Sequence, residues 1–213
     1  STGMYPKLAS IPYNEQDIHN GDPLDNNYGY AFGKRIIEPS IKAYRAEYKL
    51  NAIGLILSGI YGQNDNFNLN SAPMLPATIN KIYNAKYNNK ICTVWGDGSQ
   101  LRELTLSKDI RNIYMWFLEN YSSDKCVNIS SGEELEIKKI VKILCKEFDY
   151  DFNLVEFDES KPKGILKKTT DISLLKSLNN FNFVKFQDGI KDVVNWYKDN
   201  VKDLRMDNKK NEF

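Results

Sequence analysis

Histidine is almost missing from this chain: His19 is the only one in 213 residues. Zinc sites draw on several His or Cys ligands, and the three cysteines, Cys92, Cys126 and Cys145, show no Cys-x-x-Cys spacing. No metal site is therefore expected. The cysteines lie in apolar stretches, which fits reduced, buried thiols rather than a disulfide framework. No apolar run reaches the ~18 residues of a membrane span, and no signal-peptide pattern opens the chain, so a soluble, cytoplasmic protein is expected. Neither sign of charge is in excess, with 29 basic against 28 acidic residues. This removes the bulk attraction that binding to nucleic acid or a membrane surface requires. Also missing is the strand, Gly-rich turn and helix with which a dinucleotide-binding domain receives a pyrophosphate. Trp95-Gly-Asp-Gly98 comes nearest, but its spacing is wrong and it lies too far along the chain.

What is present suffices for one large or two small globular domains: 41% of residues are hydrophobic and 27% charged. Strand and helix signals alternate. Residues 51–61 read as a short buried strand leading into a Gly-containing loop, followed by an Asn-rich turn region over 65–71. Helices are expected over 75–87, 107–121, 134–148 and 188–201, with strands over 91–95 and 126–130 and a turn at Asp97-Gly98. Such alternation favours an α/β architecture with parallel strands. The polar tail over 202–213 is expected to fray.

The chemistry-bearing pattern is Ser1 followed by Tyr30-Ala-Phe-Gly-Lys34. On a helix, a spacing of four puts Tyr30 and Lys34 on one face, about 6 Å apart at Cβ. A phenol is a poor proton donor or acceptor at neutral pH, and an ammonium beside it favours the phenolate. A serine hydroxyl aimed at the same carbonyl oxygen adds a second hydrogen bond where negative charge develops. The three together can protonate a ketone as a hydride attacks its carbon. Tyr-x-x-x-Lys recurs at Tyr121 to Lys125, where a polar helix end or loop is the expected context. The first match opens a stretch, Tyr30 to Tyr48, whose apolar Ile36, Ile37, Ile41 and Tyr44 suit a helix packed on a sheet. Pro39 lies inside it, and a kink after Lys34 is expected.

Five segments stand out: Ser1-x-x-x-Tyr5-Pro-Lys-Leu-Ala, Tyr30-x-x-x-Lys34, Ile60-Tyr-Gly-x-Asn-Asp-Asn-Phe67, Trp95-Gly-Asp-Gly-x-x-x-Arg102-Glu103 and Phe157-Asp-x-Ser-Lys-Pro162. Together they resemble the GDP-L-fucose synthase branch of the extended short-chain dehydrogenase/reductases, the NAD-dependent epimerase/dehydratase family. The resemblance runs from Ser1 to about Tyr197. It implies the C-terminal part of a Rossmann-type doubly wound parallel sheet plus a smaller α/β substrate-binding domain, in a chain shortened at its N-terminus. Residues 1–62 would be the remainder of the dinucleotide-binding domain and 63–201 mainly the nucleotide-sugar domain, with 107–130 returning to the Rossmann sheet. Ser1 and Tyr30 would bond the 4-keto oxygen, and Lys34 would hold the nicotinamide ribose of NADPH, or of NADH. Leu57, Ser58, Gly59 and Ile60 would line the nicotinamide end. Lys81, Trp95 and Arg102 would contact a nucleotide-sugar substrate, GDP-linked, for which cations and an indole are suited; a core role is the alternative for Trp95. In this family the Tyr-Lys helix commonly pairs with its copy, so a homodimer through an apolar stripe over 35–48 is expected, with intramolecular packing as the alternative.

The sequence departs from the family at three positions. The Cys and His that serve C3 and C5 epimerisation are replaced by Gly3 and Pro73, neither of which can move a proton. His19 falls in a polar loop, where a solvated or turn role is expected. Lys163 stands where the family often has an acidic residue. The expectation is thus an NAD(P)H-dependent C4-reductase without epimerase groups, inactive as this piece alone for want of the phosphate-binding turn. The alternatives are the bifunctional epimerase/reductase and a non-catalytic sugar-binding or dimerising remnant. A 4,6-dehydratase fits less well, because Thr2-Gly3 supplies no acid/base pair.

Overall fold

The computed structural model describes residues 1–161, 164–202 and 204. The Pro162 end of the fifth motif, Lys163 and nearly all of the polar tail lie outside the described residues. In chain order the elements are α1 (Tyr28–Arg35), α2 (Ile37–Tyr48), β1 (Leu55–Leu57), β2 (Ile60–Tyr61), α3 (Met74–Tyr87), β3 (Cys92–Trp95), β4 (Leu101–Glu103) and β5 (Thr105–Leu106). These are followed by α4 (Ser107–Asn120), β6 (Val127–Ile129), β7 (Glu134–Glu136), α5 (Ile137–Glu147), β8 (Val155–Asp158), β9 (Lys167–Lys168), α6 (Ser173–Leu178) and α7 (Phe186–Asn200). The chain divides into two compact units, one of residues 1–60, 101–134 and 167–184, the other of 61–100, 135–166 and 185–213.

In the first unit β1 and β6 pair in parallel, Leu55 with Val127 and Leu57 with Ile129. Side chains alternate across a strand. Leu55, Leu57, Val127 and Ile129 accordingly pack with Ile110, Ile113 and Phe117 of α4 and Leu175 of α6. Ile56 joins Met4, Tyr5, Tyr13 and Ile18 in a separate cluster. Asn128, fully buried, accepts a hydrogen bond from the Tyr5 hydroxyl at 2.7 Å and donates to the Tyr13 carbonyl at 2.9 Å. Strands covered on both faces are the mark of a parallel sheet in an α/β protein. A second parallel pair, β4 with β9, sets Arg102 opposite Lys168.

The second unit pairs β3 with β8, also in parallel, from Cys92–Val155 to Trp95–Asp158. Helix α5 buries Ile137, Ile140, Val141, Leu144 and Cys145, an i, i+3, i+4, i+7, i+8 stripe. Tyr197 of α7 is fully buried between Phe67, at 4.6 Å between ring centroids, and Tyr83 at 5.4 Å. Gly98, at φ +77°, makes the turn after β3, where a Cβ would lie 2.6 Å from the Phe157 ring.

Three expectations need correction. The single stretch from Tyr30 to Tyr48 is two helices, broken at Ile36. The missing Pro39 N–H leaves the Arg35 carbonyl without its helical donor, and the proline sits in the first turn of α2, where it is tolerated. Of the apolar residues read as packing on a sheet, only Ile41 is buried; Ile36, Ile37 and Tyr44 are exposed. Glu134–Glu136 is a strand, with only Leu135 buried, so the helix expected from Glu134 begins at Ile137.

Candidate active site

Ser1 caps a 3₁₀ turn, Thr2–Met4, its hydroxyl accepting from the Gly3 N–H at 3.3 Å. Helix α1 lies against this turn and carries Tyr30 and Lys34 one turn apart, with the Lys34 ammonium 5.4 Å from the centre of the Tyr30 ring. A Cβ added at Gly3 would lie 3.3 Å from the edge of the Tyr30 ring and 3.5 Å from the Ser1 hydroxyl. Ser1 and Tyr30 therefore meet around Gly3, with the Lys34 ammonium on the Tyr30 ring. Tyr30 is half exposed, and among the described residues its hydroxyl has no hydrogen-bond partner and Lys34 no carboxylate. The same added Cβ would lie 2.8 Å from the Asn27 amide nitrogen, which donates to the Gly3 carbonyl. The space beside Gly3 is thus filled by Asn27.

Lys168 has no anionic partner among the described residues and is half buried beside its register neighbour Arg102. Burial first, and then mutual repulsion, lowers its pKa; burial likewise lowers that of Arg102. Lys34 and Lys168 both lie near enough to Ser1 for their fields to reach it. An anion brought to this neighbourhood would be drawn to several uncompensated positive charges.

Residues 57–60 follow the end of β1. Leu57 is half buried, and Gly59 and Ile60 are exposed, so they offer an apolar surface and accessible backbone. Ser58 points inward and donates to Glu103 at 3.2 Å. Glu103 is 3% exposed and also accepts from the Thr170 amide at 3.1 Å and the Thr170 hydroxyl at 2.8 Å. Burial is the largest influence on this carboxyl and raises its pKa against those bonds. Nothing but its place in the Arg102-Glu103 pair marked it in the sequence.

In the second unit Trp95 is 57% exposed, which removes a core role. The Lys81 ammonium lies 5.3 Å from the centre of its ring and donates to the Thr93 carbonyl. Tyr121 and Lys125 form no site: the Tyr121 hydroxyl donates to the Lys125 carbonyl in the exposed segment after α4. His19 is bonded at 2.9 Å to Glu38, which also pairs with Lys42. Cys92, Cys126 and Cys145 are buried free thiols, raised by burial to about 11, 11 and 12. Among the described residues no cluster of His, Cys, Asp or Glu is placed to hold a metal, and no helix is long and apolar enough to cross a membrane.

Residues 1–130 match the model of the NAD dependent epimerase/dehydratase family. The chain is 35% identical over 208 residues to the GDP-L-fucose synthase of Dictyostelium discoideum, covering 96% of this chain and 65% of that protein. It is 33% identical to the GDP-L-fucose synthase of Sinorhizobium fredii, over 84% of this chain and 57% of that one. A crystal structure of a GDP-L-fucose synthetase from Naegleria fowleri bound to NADP superposes with a TM-score of 0.89 at 28% identity, covering 94% of this chain and 65% of that one. The chain thus spans about two thirds or less of these relatives' length. The comparisons correct one expectation. The relatives aligned along nearly the whole chain are named as synthases, so the replacements at Gly3 and Pro73 do not mark it as an isolated, epimerase-free C4-reductase. A Rossmann-like α/β fold is shared with these proteins, and the chain belongs to the NAD dependent epimerase/dehydratase family.

Proposed function

We propose that the chain carries the keto-sugar chemistry of a bifunctional GDP-4-keto-6-deoxymannose 3,5-epimerase/4-reductase, a GDP-L-fucose synthase, with NADP(H) as cofactor. The observation that carries this reading is that Ser1 and Tyr30 meet around Gly3 with the Lys34 ammonium on the Tyr30 ring, and that the Tyr30 hydroxyl has no partner among the described residues. The residues present fit the cofactor: Lys34 is a donor with no carboxylate among the described residues, suited to a ribose diol, and Leu57 and Ile60 offer an apolar face. Ser58 is not part of it, since its hydroxyl donates to Glu103 and its N–H to the Ile129 carbonyl. When bound, NADPH supplies a hydride.

The chain's own groups act on the oxygen. Ser1 and Tyr30 donate hydrogen bonds to the 4-keto oxygen, and Tyr30 gives up its proton as that oxygen gains electrons. Lys34, above the ring, stabilises the negative charge left on the phenol. Arg102 and Lys168 attract the substrate diphosphate, while Lys81 and Trp95 form a cation-and-indole pair suited to a sugar or base. Proton exchange at C3 and C5 falls to groups other than Gly3 and Pro73. In this reading residues 1–62 and 107–130 belong to the dinucleotide-binding half and 63–201 mainly to a smaller nucleotide-sugar domain. The exposed apolar side chains of Tyr28, Phe32, Ile36, Ile37, Tyr44 and Tyr48 along α1 and α2 form a homodimer face. Three reduced thiols fit a cytoplasmic, reducing compartment.

Kinetics with NADPH and the 4-keto sugar test the assignment. Tyr30→Phe should lower kcat by about 10²–10⁴-fold and Ser1→Ala by about 10²–10³-fold. Undiminished turnover in Tyr30→Phe would remove Tyr30 as the donor.

A further inference from the structure

Arg35 is the last residue of α1, directly after Lys34, and only 4% of it is exposed. Its Nε donates to the Met4 carbonyl at 2.6 Å and its Nη1 to the Gly21 carbonyl at 2.7 Å. Its Nη2 is buried with no partner, and no carboxylate pairs with it among the described residues. A buried guanidinium held by two neutral carbonyls and the face of the Phe32 ring, 5.3 Å away, with the Asp22 charge near but not paired, is an expensive way to fill space, since an apolar side chain of similar length would avoid the desolvation. The two acceptors explain its retention. Met4 ends the 3₁₀ turn that Ser1 caps, and Gly21, at φ +129°, adopts a backbone conformation suited to glycine. At the other end of α1, Asn27 donates to the Gly3 carbonyl at 3.2 Å. The helix bearing Tyr30 and Lys34 is thus tied to the serine turn at both ends, and both ties end on successive carbonyls of that turn.

We propose that Arg35, with Asn27, is a positioning residue that holds Ser1 in register with Tyr30. The catalytic part of this statement rests on the function proposed above; the geometric part does not. A planar fork reaches two carbonyls from two segments, whereas a single ammonium at position 35 cannot reproduce both bonds. A misplacement of about 1 Å between groups that share one oxygen can lower a rate about 10²-fold.

The test uses the full 213-residue chain as wild type, Arg35→Lys, Arg35→Met, Asn27→Ala and a control, Arg45→Met. Arg45 also donates from a helix to a carbonyl, that of Ala52, and to Asn51 and Ser122, without touching the serine turn. The position readout is the nuclear Overhauser contact between the Gly3 α-protons and the Tyr30 ring, read beside thermal melting. Wild type and Arg45→Met should keep this contact, whatever the melting shift of the control. Arg35→Lys and Asn27→Ala should weaken it severalfold, and Arg35→Met should abolish it. Should Arg35→Met fail to fold, Arg35→Lys and Asn27→Ala still decide the matter. An unchanged contact in these two would overturn the positioning role and leave Arg35 structural. In turnover, Arg35→Lys should lower kcat about tenfold or more with KM held within about twofold. A lost contact with unchanged kcat would uphold the tie and overturn the catalytic reading of Ser1.

Discussion

Several functional residues are set by what surrounds them more than by their own chemistry. Tyr30 and Lys34 were legible in the sequence because a spacing of four on a helix forces two side chains together. Arg35 was not, because one arginine among 29 basic residues carries no sign that it is buried. Glu103 likewise carried no sign in the sequence of the three bonds that Ser58 and Thr170 donate to it. Its buried carboxyl gives a prediction with a definite sign. A carboxyl whose folded pKa lies above its unfolded value binds protons more tightly when folded, so it adds stability as pH falls through the folded value toward the unfolded one. Relative to Glu103→Gln, the wild type should therefore gain stability as pH falls from neutral toward the ordinary carboxylate range in urea titrations at fixed ionic strength. Parallel pH profiles for the two proteins would show that Glu103 does not carry the raised pKa.

At the scale of elements, the sequence was most readable where a period ran for three turns. The helices α3, α4, α5 and α7 fell within a residue or two of their expected bounds, apart from the first turn expected of α5. The short strands β4, β5 and β9, of two or three residues, have no period to read. Glu134–Glu136 misled because glutamate is a good helix former, while the pattern that governs there is the single buried Leu135. The break between α1 and α2 has a local cause, since Ile36 keeps helical angles of −60° and −22°. Pro39→Ala should therefore restore a bond from residue 39 to the Arg35 carbonyl and protect that amide from hydrogen exchange. Fast exchange of the new amide at position 39 would mean that packing, not the proline, divides the helix. Deleting a large core side chain tests the other side of the sheet: Phe117, fully buried against β6 and α6, should cost about 3–5 kcal/mol on change to Ala, measured by denaturant melting. A loss under about 1 kcal/mol would show that this layer is loosely packed.

For the molecule as a whole, 96% of the chain aligns with 65% of the Dictyostelium synthase, and the serine turn and Tyr-Lys helix lie within the residues 1–130 that match the family. The family was legible from five dispersed motifs. The replacements at Gly3 and Pro73 pointed away from epimerisation, and residue identities at two positions could not show how the remaining groups share the proton transfers. On the proposed reading this site both exchanges protons next to a ketone and reduces it. The most direct measurement runs the chain, joined to a dinucleotide-binding segment that supplies the Gly-rich turn, with NADPH and GDP-4-keto-6-deoxymannose in D₂O and locates deuterium in the product by NMR. GDP-L-fucose carrying deuterium at C3 and C5 is expected. A C4-reduced sugar with no deuterium at either carbon, or no reduction by the correctly folded joined chain, would contradict that reading.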